Sequence, residues 1–298
     1  MKNCFKKLLL ICVLGCQLIT LVHAEPYHLI AGSSMLGFRE NAKQNVSLGF
    51  NAAFNSLLTS ANVKCDFKNY DTSKELSEAI SKQEVNGFFG TPLEFIESES
   101  FFKSSPLASG IFGQKIKAKT LLLVRKDSGI VELEQLKGKK ISIQKSLMSD
   151  VGGLYIETLF LEHQLLPIKN FFSEIKYSET SNSAFVDLFF KKVDATLISE
   201  TQFDIAVELN PQMREQTQII EASEPYLIFV TALAKNTPEE EADSIKKSLF
   251  TVHKTPKGRN ILNLMKMQGF IEISISDLDN IRALIEKNKR LKAQKNVR

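Results

Sequence analysis

Histidine, serine and cysteine are the residue types of this 298-residue chain most able to do chemistry. His28, His163 and His253 lie far apart and show no spacing, such as His-x-x-Glu-His, that places two ligands on one metal ion. The chain has no Gly-x-Ser-x-Gly elbow, so Gly32-Ser33-Ser34 is interpreted as a loop and not as a nucleophile site. The sequence therefore predicts no catalytic residue, no metal and no cofactor.

Residues 1–24 have the pattern of a secretory signal peptide. Three lysines, Lys2, Lys6 and Lys7, precede an apolar run, and the sequence Val-His-Ala follows it. The apolar run covers residues 8–22, which is shorter than the roughly 20 residues that a membrane-spanning helix needs. We predict cleavage after Ala24 and a periplasmic protein, and lipidation at Cys16 is the alternative.

Removal of these 24 residues changes the charge and the cysteine content. It takes away three lysines and no acids, so the formal charge falls from +4 to +1, and Cys65 becomes the one cysteine. A disulfide within the chain is then excluded, and the nearly neutral body gives no reason to expect nucleic acid as a partner. Cys65 is predicted to be a buried, inert thiol. The basic residues of 287–298 predict a solvated helix end.

Strand and helix patterns alternate along the mature chain, which predicts the α/β class with mostly parallel sheets flanked by helices. Thr72 with Glu75, and Thr91-Pro92 with Glu94, form capping boxes that predict helix starts. Two long apolar strands, near 119–125 and 226–234, bracket the middle of the chain. They predict a discontinuous first lobe of residues 25–118 plus 226–298, an inserted second lobe of residues 119–225, and a two-strand hinge between them.

Five short strings follow one another along the chain: VNGFFGTPLEF at 85–95, LLVRKDSGI at 122–130, LKGKKI at 136–141, VDA at 193–195 and KGRNIL at 257–262. Their order and spacing resemble the phosphate, phosphite and phosphonate type of ABC-transporter substrate-binding protein, a type II periplasmic binding protein. The resemblance covers nearly the whole mature chain. It implies a non-enzymatic protein that holds a small solute between two lobes, closes by hinge motion and reports to a permease.

The resemblance also implies where the ligand binds. In the phosphonate binders the anion lies at a helix N-terminus rich in Ser and Thr, and the corresponding stretch here is residues 146–153. Ser149 is predicted to cap this helix, and the N–H groups of Val151 and Gly152 to admit an oxyanion. Asp150 departs from the pattern, because a carboxylate in the first turn competes for the same amides and repels a dianion.

Loops at the carboxyl ends of strands face the crevice in this superfamily, which implies further ligand contacts. Glu200 is the acidic residue among them and would meet a ligand amine. For the Ser, Thr and Asn residues, helix capping alone is an open alternative, since these types cap helices for local reasons. The remaining candidates are Ser33, Ser34, Met35, Thr91, Ser181, Asn182 and Ser183.

The leading hypothesis is an exported, monomeric solute-binding protein that captures a small polar ligand, with a phosphorus oxyanion as a candidate. Its expected partners are that ligand and an ABC permease in the inner membrane. Two alternatives stay open at this point. One is a module of the same fold that serves a membrane sensor, and the other is an exported hydrolase or transferase built on two α/β lobes.

Overall fold

The computed structural model describes residues 25–34, 51–52, 54–55, 58, 62–103, 107–148, 150–178, 180–264 and 266–296. The predicted signal peptide and the predicted contacts Met35 and Ser149 lie outside these residues. Within them, no helix has the length and apolar character that crossing a membrane requires.

The described residues form alternating strands and helices, and those between 51 and 58 are helical as well. The strands are β1 (Tyr27–Ser33), β2 (Val63–Asn69), β3 (Gly87–Gly90), β4 (Leu107–Ile111), β5 (Lys117–Ala118), β6 (Thr120–Arg125), β7 (Lys140–Gln144), β8 (Glu174–Ser178), β9 (Ala195–Ser199), β10 (Thr217–Ala222), β11 (Tyr226–Leu227), β12 (Val230–Leu233) and β13 (Gly269–Ile273). The helices are α1 (Ser73–Ser81), α2 (Pro92–Ser98), α3 (Lys145–Met148), α4 (Val151–Glu162), α5 (Ile168–Phe171), α6 (Ser181–Phe189), α7 (Glu200–Leu209), α8 (Gln212–Gln216), α9 (Glu239–Thr251), α10 (Pro256–Leu264) and α11 (Asp279–Asn296).

Two main sheets divide these strands. The first lobe contains a sheet of order β13-β4-β12-β3-β1-β2, and the second lobe a sheet of order β10-β6-β9-β7-β8. Most strands of each sheet run in one direction, while β12 and β13 in the first and β6 in the second run the opposite way. The predicted α/β architecture of two sheets flanked by helices is confirmed, and both sheets are mixed, with parallel pairs such as β1–β2 and β7–β8 beside antiparallel pairs such as β3–β12 and β6–β9.

Strand β6 shows why its sequence is apolar without a break. Leu121–Val124 are at most 2% exposed. Alternation along the strand sends Leu122 and Val124 into a core with α4, and Leu121 and Leu123 into a core with α6 and α7. A strand covered by helices on both faces needs apolar residues at every position, and each such side chain stabilises the fold by about 1.5–3 kcal/mol.

The chain passes between the sheets twice, side by side. β5 pairs with β11 in an antiparallel ribbon, with Ala118 opposite Tyr226 and Lys117 opposite Leu227. The N–H of Ile228 donates to the carbonyl of Ile116 at 3.0 Å, which extends this pairing by one step. β11 lies within the predicted segment near 226–234, whereas β5 ends just before the predicted segment near 119–125, which is β6 of the second sheet.

Helix α11 joins the lobes on another side. Its Ile281 and Leu284 pack in the core of the first lobe with Phe88 and Leu227. Farther along, α11 lies against α4 of the second lobe, where Lys287 pairs with Glu162 and Lys292 with Glu157, and Asn288 donates to Thr158 Oγ1 at 2.9 Å. The basic C-terminal segment is therefore a packed contact and not only a solvated helix end.

We expect Asn288→Ala to lower the free energy of unfolding by about 1–2 kcal/mol, because Asn288 is 4% exposed and its hydrogen bond to Thr158 would be lost. Lys289→Ala, one position along, removes only an exposed pair with Glu286 and should cost under about 0.5 kcal/mol. Urea denaturation measures both. Equal losses would show that α11 gains nothing specific from Asn288.

Candidate functional site

A cleft of about 550 Å³ lies between the two lobes. Its lining comes from the carboxyl ends of β1 and β3 on one side and of β7 and β9 on the other, which is the edge where parallel α/β sheets bind ligands. At these strand ends or within two residues of them lie Ser33, Ser34, Gly90 and Thr91 on the first side, and Gln144, Ser146, Ser199 and Thr201 on the second.

The structure brings four of the predicted contacts to this cleft: Ser33, Ser34, Thr91 and Asp150. Glu200 lies at its border, where its carboxylate is 3.3 Å from the Nζ of Lys115, a lining residue.

Val151 and Gly152 are buried at the start of α4, behind Asp150, and do not line the cleft. Ser181, Asn182 and Ser183 also lie apart from it. They begin α6, which follows β8, and β8 is the edge strand of its sheet. The N–H of Ser183 donates to Thr180 Oγ1 at 3.2 Å, so Thr180 is the capping residue of α6.

Two glycines, Gly152 and Gly153, allow α3 and α4 to pack closely beside the cleft. A Cβ on Gly152 would lie 1.7 Å from Leu147 Cδ2, and a Cβ on Gly153 would lie 2.3 Å from the carbonyl oxygen of Met148. Only glycine lets α3 pack this closely on the first turn of α4. Leu147 of α3 is thereby held in the cleft lining.

The sequence analysis placed Asp150 in the first turn of α4. In the structure Asp150 is instead the N-cap residue, immediately before that turn. Its residue is partly exposed, but its Oδ1 atom is buried and has no hydrogen-bond partner in the described part of the chain. Loss of solvation raises the pKa of this carboxyl from an ordinary value of 3.8 to about 7; the nearby Glu94 also raises it, and the N–H of Val151 lowers it.

Glu94 is buried but locally satisfied. Its Oε1 accepts from Ser73 Oγ at 2.6 Å, and its Oε2 accepts from the N–H of Thr91 at 3.1 Å. In return Thr91 Oγ1 accepts from the N–H of Glu94 at 3.4 Å, which completes the predicted capping box of α2.

We expect Thr91→Ala to destabilise the protein by about 1 kcal/mol, because the first turn of α2 loses its cap. Thr91→Ser keeps the hydroxyl and should stay within about 0.5 kcal/mol of the parent. Denaturant unfolding of both variants tests this. Equal stability of the two would contradict a capping role for Thr91.

Lysine 115 connects the lobes across the cleft. It precedes β5, and its Nζ lies 2.8 Å from Asp204 and 3.3 Å from Glu200, both on α7. The hydrogen bond to Asp204 is the main reason why the pKa of Lys115 is raised. Sequence reasoning missed Lys115 and Asp204 because neither follows a strand directly.

Aromatic side chains form an apolar wall. Phe89, Phe112 and Phe229 line the cleft, and the rings of Phe89 and Phe229 meet edge to face at 4.1 Å between centroids. Phe89 and its neighbour Phe88 are both buried. Alternation in β3 separates them, because it directs Phe88 into one hydrophobic cluster and Phe89 into another that borders the cleft.

Acids predominate over lysines in the described lining. Its charged side chains are Glu94, Lys115, Asp150, Asp204, Glu208 and Lys266. The described residues hold no group of three or more His, Cys, Asp or Glu side chains that is arranged to bind a metal ion. The arrangement suits reversible binding of a small molecule with polar and apolar parts.

The two-lobed architecture is shared with solved structures of low sequence identity. XAC2383 from Xanthomonas citri bound to ATP superposes with a TM-score of 0.66 at 15% identity, over 89% of this chain and 98% of that one. A binding protein component of an ABC phosphonate transporter from Pseudomonas aeruginosa gives 0.65 at 14%, over 90% and 88%. PhnD1 from Prochlorococcus marinus in complex with methylphosphonate gives 0.61 at 13%, over 88% and 98%.

No protein with a curated description matches this chain in sequence. A sequence model of one family, described as ABC transporter, phosphonate, periplasmic substrate-binding protein, matches residues 40–278. This match covers most of the chain and both lobes. The chain therefore belongs to the family of periplasmic substrate-binding proteins of phosphonate ABC transporters.

Proposed function

We propose that the interlobe cleft is the ligand site through which this periplasmic protein captures a small polar solute for an ABC permease. One observation carries the proposal: a cleft of about 550 Å³ opens between two sheets, and its lining comes from both lobes. A ligand that contacts both lobes stabilises the closed conformation relative to the open one. The permease can then distinguish the ligand-bound protein from the ligand-free protein by its conformation.

The hinge of this motion is proposed to be the β5–β11 ribbon, with lobe boundaries at residues 25–118 plus 226–298 and 119–225. The ribbon has only two residues in each strand, and few bonds must adjust when the lobes rotate. Lys115 supports the proposal, because its contacts with Asp204 and Glu200 of α7 already span the cleft.

A phosphorus oxyanion is supported as a ligand group by the family and by the hydroxyls of Ser33, Ser34 and Thr91 in the cleft. PhnD1 of Prochlorococcus marinus holds methylphosphonate. The carboxylate of Asp150 acts against a dianion at the N-terminus of α4, because like charges repel strongly where solvent is excluded.

The mature protein is proposed to be a monomer that begins at Glu25 after signal-peptide cleavage. Mass spectrometry of the periplasmic protein distinguishes this from lipidation at Cys16, since the two forms differ in their first residue. Sedimentation at several concentrations measures the oligomeric state, and a mass twice that of the chain would contradict the monomer.

An occlusion variant tests the site. Ile205 of α7 lines the cleft and is 45% exposed, so Ile205→Trp should fill the cleft without disturbing the core. Leu209→Trp is the control, because Leu209 is on the same helix and 79% exposed but does not line the cleft. We expect calorimetric titrations to lose ligand binding in Ile205→Trp only. Binding unchanged in Ile205→Trp would place the ligand elsewhere.

A further inference from the structure

We propose that Asp150 is the group that selects the ligand, and that it binds the protonated amine of a small organic ammonium ion. This inference rests on the proposed function, since it takes the cleft as the ligand site. It assigns a cation to the helix terminus where the phosphonate binders hold an anion. A phosphoryl group is not required for such a ligand to bind.

The first argument is the hydrogen-bonding state of the carboxylate. Asp150 Oδ1 is buried, and no described residue donates to it. A buried carboxylate oxygen without a donor is costly, and nearly all such atoms in folded proteins have a partner. A primary ammonium supplies up to three donors and a compensating charge, whereas a fully ionised oxyanion supplies neither.

The second argument is the charge that surrounds Asp150. Glu94 of α2 faces it and raises its pKa further, while the Val151 N–H acts in the opposite direction. Across the cleft, the charge of Lys115 is already matched by Asp204 and Glu200. Such a lining concentrates cations and disfavours anions.

Two further charged residues line the described part of the cleft. They are Glu208 of α7, which is acidic, and Lys266, which is basic and precedes β13. The excess of carboxylates in the lining therefore remains after these two are counted.

The third argument is the apolar part of the lining. Phe89, Phe229, Leu147, Ile228 and Met267 present carbon surface beside the carboxylates. Aromatic faces attract a cation as well as alkyl groups, and aliphatic side chains pack against an alkyl chain. An aliphatic amine therefore satisfies both parts of the cleft.

Asp150 also borders a second cavity, of about 520 Å³, whose lining includes Met148 of α3 and Leu154 of α4. The charged groups there are Glu157 of α4, Lys169 of α5 and Lys295 of α11. Apart from Asp150 itself, two lysines oppose one acid in this cavity, so a cation is favoured on the cleft side of Asp150 and not on this side.

The test is calorimetric titration with n-butylamine, n-butanol, butyltrimethylammonium and methylphosphonate. We expect n-butylamine to bind and the alcohol not to bind. The quaternary ion should bind more weakly than the amine, because it has no N–H to donate. Asp150→Asn should weaken n-butylamine about 10- to 100-fold, the usual effect of removing a charged hydrogen-bond partner. Asp243→Asn, an exposed acid on α9, makes the same charge change and should alter affinity less than twofold.

The pH dependence adds a second readout. The amine stays protonated from pH 6 to pH 8, while the free Asp150 carboxyl ionises over this range, so binding should strengthen with pH in the parent and not in Asp150→Asn. No n-butylamine binding, or equal affinity in parent and Asp150→Asn, overturns the inference. Methylphosphonate binding that Ile205→Trp abolishes would then still support the cleft as the ligand site. Amine binding that survives Ile205→Trp overturns the placement in the cleft.

Discussion

Asp150→Asn is expected to raise the free energy of unfolding of the ligand-free protein by about 2–4 kcal/mol at pH 8 and to change it little near pH 4. The pKa of Asp150 rises from 3.8 to about 7 on folding because the carboxylate loses its solvation. A rise of one in the pKa corresponds to about 1.4 kcal/mol that disfavours the ionised carboxylate in the folded protein. Partial exposure of Asp150 to solvent reduces the summed cost.

The direction of the pH effect follows from proton binding. Between about pH 4 and pH 7 the folded protein keeps a proton on Asp150 that the unfolded chain has released. The contribution of the protonated Asp150 to the free energy of unfolding is therefore complete below pH 4 and is lost as the pH rises through 7. Urea denaturation of Asp150→Asn and Asp243→Asn at pH 4, 6 and 8 measures this. A stability difference from the parent that does not grow with pH would show that Asp150 is ordinarily solvated.

If Asp150→Asn is both more stable and weaker in amine binding than the parent, then Asp150 lowers the stability of the ligand-free protein and serves to bind the ligand. Functional sites commonly carry such unfavourable groups. An amine that binds Asp150 should accordingly stabilise the parent more at pH 8 than at pH 6.

Gly153→Ala is expected to destabilise the protein by about 2–3 kcal/mol and to weaken ligand binding. Its Cβ would lie 2.3 Å from the Met148 carbonyl oxygen, and backbone cannot move aside as a flexible side chain can. Relief requires α3 to shift away from α4, and Leu147 would then leave its position in the cleft. The better helix propensity of Ala offsets only about 1 kcal/mol.

Gly269→Ala is the matched control for this change. A Cβ there would lie 3.8 Å from its nearest neighbours, His253 Nδ1 and Ile111 Cδ1, which is ordinary contact. We expect a change under about 1 kcal/mol. Thermal unfolding and calorimetry of both variants give stability and affinity, and similar behaviour of the two would mean that α3 accommodates a methyl group at Gly153.

Local patterns predicted the secondary structure well because their causes are local. Thr72 accepts from the N–H of Glu75 and begins α1 as its spacing predicts, and Thr91 does the same for α2. The continuous apolar run of β6 indicated a strand covered on both faces. β11 was predictable too, because it begins the apolar segment near 226–234, whereas β5 has only two residues and carries no apolar run of its own.

Apart from Asp150, which the family resemblance indicated, the site was predictable only where the lining is at or just after the end of a central strand. Ser33, Ser34 and Thr91 follow β1 and β3, which are inner strands, whereas Ser181 to Ser183 follow β8 at a sheet edge. A single sequence does not reveal strand order, since that depends on contacts between distant segments. For the same reason Lys115, from a loop, and Asp204, from a helix face, carried no local signal.

If residues 1–24 are removed as proposed, Cys65 is the single cysteine that is left, which makes the protein suitable for a fluorescent reporter. Cys65 in β2 is 0% exposed, and burial, together with Asp66, raises the pKa of its thiol to about 12. Such a thiol reacts too slowly to compete for a maleimide dye. A cysteine introduced at Glu208, on the cleft wall, would therefore be labelled alone, and its dye would report closure around the solute directly in a cuvette.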